Sequence, residues 1–121
     1  MHNHHVFLTE ADFTRVMALQ PEPFLRAELE RAIVVARDAI PADVVTMYST
    51  VRYRDEHADV SREVQIVYPE EADIARARIS VLAPVGAALL GLATGQAIDW
   101  PFPGGEIRRL RVEAVLSQRD D

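Results

Sequence analysis

The spacing of apolar residues divides the chain into an N-terminal part with helical periodicity and a longer part with strand-like alternation. Between residues 9 and 40 apolar side chains recur every three or four positions, and residues 20–23 contain two prolines that interrupt this pattern. The pattern predicts helices over 9–19 and 24–39, joined as a short antiparallel helical hairpin whose longer arm measures roughly 24 Å. The apolar stripe of the second helix comprises Leu25, Leu29, Ala32, Ile33, Ala36 and Ile40.

The first predicted helix has a well-defined start. Thr9 can accept a hydrogen bond as the N-cap, Asp12 stands at the third helical position, and Leu8 and Phe13 occupy the two positions of a hydrophobic staple.

After Pro41 the apolar period changes from helical to two residues. Residues 45–54 and 60–68 each alternate and flank a polar turn, which predicts a β-hairpin. A last strand is predicted over 106–116. Its apolar positions are Ile107, Val112 and Val115.

Residues 79–105 form the stretch around which the remaining strands are organised. The pattern predicts a strand over 79–82, a short helix over 85–90 begun by Pro84 and capped by Gly91, and a strand over 97–100 before a Pro-Gly-Gly turn. A helix this apolar should be the plug of a curved sheet. The fold class is therefore α+β, with a helical hairpin over 1–41 followed by a domain over 42–121 built of four or five antiparallel strands and one short helix.

Composition excludes several classes of protein. The 121 residues contain no cysteine, so no disulfide scaffold, zinc–thiolate site or cysteine nucleophile exists. A net charge of −6 argues against nucleic acid as the main partner. Neither a signal peptide nor a membrane-spanning run is recognisable, which predicts a soluble cytoplasmic protein with no membrane partner.

Three of the four histidines fall within residues 1–6. Close imidazoles can chelate a metal ion, but a frayed terminus is the simpler interpretation.

Four segments in the C-terminal part resemble the C-terminal domain of the Gre transcript elongation factors, and among them the Rnk branch, regulators of nucleoside diphosphate kinase. They cover about 75 residues in the family's order. The segments are Val45-Thr46-Met47-Tyr48-Ser49-Thr50-Val51, Tyr68-Pro69-Glu70-Glu71-Ala72-Asp73, Ile79-Ser80 with Ala83-Pro84-Val85-Gly86-Ala87-Ala88-Leu89-Leu90-Gly91, and Pro103-Gly104-Gly105-Glu106.

The resemblance implies an FKBP-like bent antiparallel sheet wrapped around one short helix. It also implies binding to bacterial RNA polymerase, with this domain docked on a coiled coil of the β′ subunit at the rim of the secondary channel. The positions that match the docking loop of the family are Leu82, Ala83, Pro84 and Val85. The alternative is that Pro84 only begins a helix and Leu82 belongs to the core.

The hairpin tip departs from the family pattern. Gre factors carry a long coiled coil whose two tip carboxylates hold a second metal ion for transcript cleavage, and an oxygen-ligated catalytic metal needs such a pair. Here the arms are much shorter, and Glu22 is the only acid of the tip, which consists of Gln20, Pro21, Glu22 and Pro23. We therefore expect no cleavage stimulation, no metal or other cofactor and no enzymatic activity of its own.

Two other functions remain as alternatives. A peptidyl-prolyl isomerase would need aromatic side chains around a concave site, whereas the candidates are spread over several elements: Tyr48, Tyr53, Tyr68, Trp100 and Phe102. An interaction module could instead form a homodimer through an exposed stripe of Leu25, Leu29 and Ile33 on the hairpin.

Overall fold

The computed structural model describes residues 5–118, which contain three α-helices and seven strands. The helices are α1 (Glu10–Met17), α2 (Pro23–Arg31) and α3 (Pro84–Leu89). The strands are β1 (Phe7–Thr9), β2 (Ile33–Val35), β3 (Thr50–Asp55), β4 (Val60–Val67), β5 (Arg78–Ser80), β6 (Ala97–Pro101) and β7 (Ile107–Ser117).

Five strands form one sheet in the order β5-β4-β3-β7-β6. The predicted β3–β4 hairpin is confirmed, with Asp55 opposite Val60 across the turn. The prediction of an entirely antiparallel sheet is wrong, because β5 runs parallel to β4. Two short 3₁₀ turns at residues 69–71 and 74–76 carry the chain back along the sheet before β5 begins, so the two strands share a direction.

Helix α3 fills the concave side of this sheet. It packs against β5 and β6, the two edge strands, and against β7, which requires the sheet to curl around it. Leu89, Leu90 and Leu92 are buried, as expected of a plug. Gly91 ends the helix with a φ of 87°, the left-handed conformation that glycine adopts at least cost. The α+β class and the curled sheet are thus confirmed, while the likeness to FKBP remains a prediction.

The second helix is shorter than its periodicity predicts. It ends at Arg31, and Ile33–Val35 form β2, which pairs in parallel with β1. Helix α2 has nine residues and is therefore about 13 Å long, so the predicted arm of 24 Å is wrong. β-Branched side chains lose rotamer freedom in a helix and pack well in a strand, which favours pairing with β1 here.

Two strand predictions also need correction. Residues 45–49 are not a strand: Tyr48 has a φ of 69°, and the backbone N–H of Thr46 donates to Oγ of Ser49. In β7, Ile107 faces solvent although it was predicted to be a core position. Leu110 and Val112 face the core, and a one-residue bulge between Val112 and Val115 changes the phase of the alternation.

The N-terminal segment shares the core of the sheet. Leu8, Val16, Leu25 and Leu29 belong to the same buried cluster as α3 and the inner faces of β3, β4, β6 and β7. The backbone N–H of Phe7 donates to the carbonyl oxygen of Gly91 at 3.1 Å. A boundary between domains at residue 41 remains a prediction. Over residues 5–118, no helix has the length and apolar character needed to cross a membrane.

Candidate functional site

The predicted docking residues lie on a tight corner between β5 and α3. Val81 is fully buried, and its N–H donates to the carbonyl oxygen of Val67 at 2.8 Å. The chain then turns outward, so that Leu82 is 38% exposed, and Ala83, Pro84 and Val85 are each partly exposed. Of the alternative interpretation, one half agrees with the structure and the other does not: Pro84 is the first residue of α3, but Leu82 is not in the core.

Ser80 and Gly86 hold the corner in shape. Oγ of Ser80 accepts from the N–H of Leu82 at 3.0 Å, and its carbonyl oxygen accepts from the N–H of Ala83 at 3.0 Å. A Cβ atom added at Gly86 would lie 2.3 Å from the carbonyl oxygen of Ser80. Only glycine lets the helix approach the strand this closely, so Leu82–Val85 are presented by a rigid backbone.

The predicted hairpin tip, residues 20–23, is a turn in which the acidic residue Glu22 caps a helix. Gln20 adopts a φ of 56°, and the carboxylate of Glu22 caps α2 by accepting from the N–H groups of Phe24 and Leu25, both at 2.9 Å. The Phe24 ring packs edge-on against Trp100, with ring centroids 6.2 Å apart. The tip is thus held beside β6, whereas Leu82 follows β5 at the other end of the strand order. The tip and the corner are therefore formed by different elements of the fold.

A cleft of about 580 Å³ separates α1 from the loop over residues 46–48. Asp12 on α1 bonds to the opposite side of this cleft, because its Oδ2 accepts from the N–H of Met47 at 3.1 Å. Burial raises the pKa of Asp12 above 3.8. The Arg15 guanidinium lies 4.0 Å from the centre of the Tyr68 ring, and burial raises the pKa of Tyr68 to about 12. Local spacing gave no signal for these contacts, which join residues far apart in the chain.

Charged groups surround the turn between β3 and β4. His57 contacts Glu106, with Nε2 and Oε2 3.0 Å apart, while its side chain remains 47% exposed. Asp55 accepts from the N–H groups of His57 and Ala58 and from Arg108 at 2.9 Å. Burial would raise the pKa of Asp55, but these hydrogen bonds and the Arg108 charge lower it below 3.8.

Neither a metal site nor an exposed leucine stripe is found within the described range. No cluster of three or more His, Cys, Asp or Glu there could hold a metal ion, and the histidine cluster of residues 1–6 lies mostly outside that range. Leu25 and Leu29 are buried within the chain, which removes two residues from the dimer surface expected of the hairpin. The aromatics Tyr53, Tyr68 and Trp100 are also buried in the core and do not line a concave apolar site.

The family is shown by comparison with known sequences. The family described as transcription elongation factor, GreA/GreB, C-terminal, matches residues 40–117. The chain belongs to the GreA/GreB family. The match begins at the end of the N-terminal segment and includes the corner at Leu82–Val85 and all five strands of the large sheet.

Individual relatives of this GreA/GreB-family protein are regulatory proteins by name. It is 37% identical over 116 residues to the regulator of nucleoside diphosphate kinase of Escherichia coli K12, a match that covers 88% of this chain and 85% of the relative. It is 39% identical over 75 residues to the transcription elongation factor GreA of Rhodospirillum rubrum, where it spans only 48% of that protein. The likeness to Rnk and to the Gre factors is therefore confirmed.

A solved structure supports the same fold. The GreA/GreB transcription elongation factor of Nitrosomonas europaea superposes with a TM-score of 0.69 at 42% identity, and the match covers 91% of this chain and 96% of that one. The short N-terminal segment is therefore shared with a solved member of the family.

Proposed function

We propose that this protein regulates transcription by binding bacterial RNA polymerase at the rim of the secondary channel, where Leu82–Val85 dock on a coiled coil of the β′ subunit. The observation that carries the proposal is the exposed corner itself. Leu82 turns out of the core directly after the fully buried Val81, at the positions where the family's docking loop is expected. The family match and the name of the relative in Rhodospirillum rubrum, a transcription elongation factor, support a role in transcription. Such a protein would act in the cytoplasm.

We further propose that binding does not stimulate transcript cleavage. Both oxygens of the Glu22 carboxylate accept backbone N–H groups of α2, so this acid is committed to capping. Helix α2 is only nine residues long, and Phe24 packs on Trp100. A tip held against the sheet, with one acid already used, cannot complete a metal site at the polymerase active centre. The protein would instead occupy the channel rim and compete with Gre factors that do cleave.

Titration of the purified protein against RNA polymerase core enzyme tests the docking proposal. We expect Pro84→Asp to abolish binding, because it places a charge in the centre of an apolar contact. Ile107→Asp is the matched control, since it adds the same charge at an exposed apolar residue outside the corner. Urea unfolding must show that both variants fold. Equal binding by Pro84→Asp and the unmodified protein would refute docking through this corner.

A cleavage assay on stalled elongation complexes tests the second proposal. We expect no shortened transcripts with this protein alone and less cleavage by a GreA factor when this protein is added in excess. Cleavage stimulated by the unmodified protein and lost in Glu22→Ala would show that the tip acts catalytically, contrary to the proposal.

A further inference from the structure

The 3₁₀ turn before β5 presents an apolar side chain that has no role within the fold. Ile74 is 88% exposed, the highest exposure among the large hydrophobic residues of the described range. Exposed apolar residues that stand singly need no explanation. Ile74 is of interest because of what holds it and what lies beside it.

The turn that carries Ile74 is closed by hydrogen bonds. Asp73 and Arg78 exchange two backbone hydrogen bonds, at 2.9 and 3.0 Å, and the N–H of Ala77 donates to the carbonyl oxygen of Ile74 at 3.0 Å. Ala77 adopts a φ of 57°, a strained conformation for a residue with a side chain. The carbonyl oxygen of Ala77 accepts from the N–H of Gln65 on β4 at 2.8 Å. A backbone fixed in this way loses little conformational freedom when Ile74 is covered by a partner.

The turn is continuous with the proposed docking corner. Strand β5 is an edge strand of three residues, with Ile74 before its start and Leu82 after its end. Three residues of strand span about 10 Å, whereas a specific interface buries about 800 Å² on each partner. An interface of that size is wide enough to include both exposed apolar residues, which lie just beyond the two ends of this short strand.

The charge beside Ile74 bears on the chemistry of a partner. Arg76 has a side chain that is 69% exposed, and its Nε forms an ion pair with Oδ2 of Asp73 at 3.6 Å. An exposed pair of this kind contributes little to stability, so the guanidinium can exchange it for a carboxylate of a partner. The neighbouring acid Glu71 already accepts from the hydroxyl of Tyr48. A guanidinium that is mostly exposed and lies two residues from Ile74 suits a surface with an apolar ridge and a flanking carboxylate.

We infer that the docking surface extends along β5 to Ile74 and Arg76, and that the RNA polymerase element it contacts presents an apolar ridge flanked by an acidic residue. This inference rests on the proposed function and adds Ile74 and Arg76 to the docking surface formed by Leu82–Val85.

Binding of two serine variants to RNA polymerase core enzyme tests the apolar part. Ile74→Ser should weaken binding roughly tenfold to hundredfold, the equivalent of burying one isoleucine. Ile107→Ser is the matched control, because Ile107 is also an exposed isoleucine, 57% exposed, on another strand; its affinity should stay within about twofold of the unmodified protein. Both residues are exposed, so both variants should fold, which thermal unfolding verifies.

The outcomes separate the inference from the proposed function. Loss of binding in Pro84→Asp with normal binding in Ile74→Ser would overturn the extension and leave the corner in place. Equal losses in Ile74→Ser and Ile107→Ser would also overturn it, since the effect would not be local. No binding by the unmodified protein would refute the proposed function and the inference with it.

The salt dependence of the same titration tests the acidic partner. Arg76→Gln should lower the affinity several-fold at low salt and flatten the dependence on salt, because one charge pair is lost. An unchanged salt dependence in Arg76→Gln would overturn the assignment of a carboxylate to the partner.

Discussion

Replacing Gly86 by alanine tests how tightly α3 is seated against β5. The added Cβ would lie 2.3 Å from the carbonyl oxygen of Ser80 and 3.1 Å from the carbonyl carbon of Ser80 and from Cα of Val81. All three are backbone atoms, so no side chain can rotate away. Relieving the closest contact to 3.0 Å requires a movement of 3.0 − 2.3 = 0.7 Å. That movement would strain the hydrogen bond between Val81 and Val67, which joins β5 to β4.

The two opposing effects of Gly86→Ala can be compared. Alanine favours a helix over glycine by about 1 kcal/mol. Overpacking against a fixed backbone costs about 1–3 kcal/mol and occasionally more, and the closest contact here is with backbone rather than with a flexible side chain. A clash with backbone falls in the upper part of that range, about 2–3 kcal/mol. Subtracting about 1 kcal/mol for helix propensity leaves an expected loss of about 1–2 kcal/mol in the free energy of unfolding, measured by urea denaturation with an unchanged m value. Gly95→Ala measures backbone strain without a clash, because a Cβ there meets nothing within 4 Å but the φ is 89°; it should lose about 1–2 kcal/mol for that reason, so the clash at Gly86 is judged against the unmodified protein. A Gly86→Ala variant as stable as the unmodified protein would refute the close approach.

Three further changes test other contacts. Gly91→Ala places a Cβ 2.2 Å from Cγ1 of Val6 at a φ of 87°. We expect the free energy of unfolding to fall by at least about 2 kcal/mol. In a double-mutant cycle, Val6→Ala should restore part of that loss, and simple additivity of the two changes would contradict the contact. Glu22→Ala removes the cap of α2 and should cost about 1 kcal/mol in thermal unfolding, and a smaller loss in Glu22→Gln would agree with one remaining acceptor. Asp55→Asn should cost about 1–3 kcal/mol at pH 7. Because the folded pKa of Asp55 lies below its ordinary value of 3.8, its contribution is present above that value and is lost as the pH falls through the folded pKa. The difference between Asp55→Asn and the unmodified protein in acid unfolding should therefore narrow below about pH 4, and a constant difference would contradict the role of the carboxylate.

Features with a local physical cause were predictable from the sequence. The hairpin of β3 and β4 follows from two alternating runs around a polar turn, and α3 follows from Pro84 at its start and Gly91 at its end. The cap at Thr9 is confirmed too, since its side chain accepts from the N–H of Asp12 at 3.1 Å. Each of these signals lies within a few residues of the structure it specifies.

Features that depend on distant residues were not predictable. Ile33 satisfies the helical period of α2, and only its pairing with Phe7, 33 − 7 = 26 positions earlier, makes it a strand residue. For the candidate site, sequence reasoning identified Leu82–Val85 through the family resemblance but could not decide whether Leu82 is buried. That depends on Val81 occupying the core, which the sheet register determines. The cap formed by Glu22 could have been inferred, because an acceptor side chain directly before a proline at the first helical position is a local signal.

The strand order leaves one edge of β3 unpaired for part of the time that the chain is being synthesised. β7 is the last strand to be made, yet it lies between β3 and β6 in the finished sheet. After β4 is complete at Val67, another 107 − 67 = 40 residues must be added to reach Ile107, the first residue of β7. At about 5–20 residues per second, the long edge of β3 stays without its second neighbour for roughly 2–8 s. An unpaired strand edge is a template for pairing with other chains. The nascent protein is therefore most prone to aggregate in this interval, and expression at lower temperature or with a chaperone that shields open edges should raise its soluble yield.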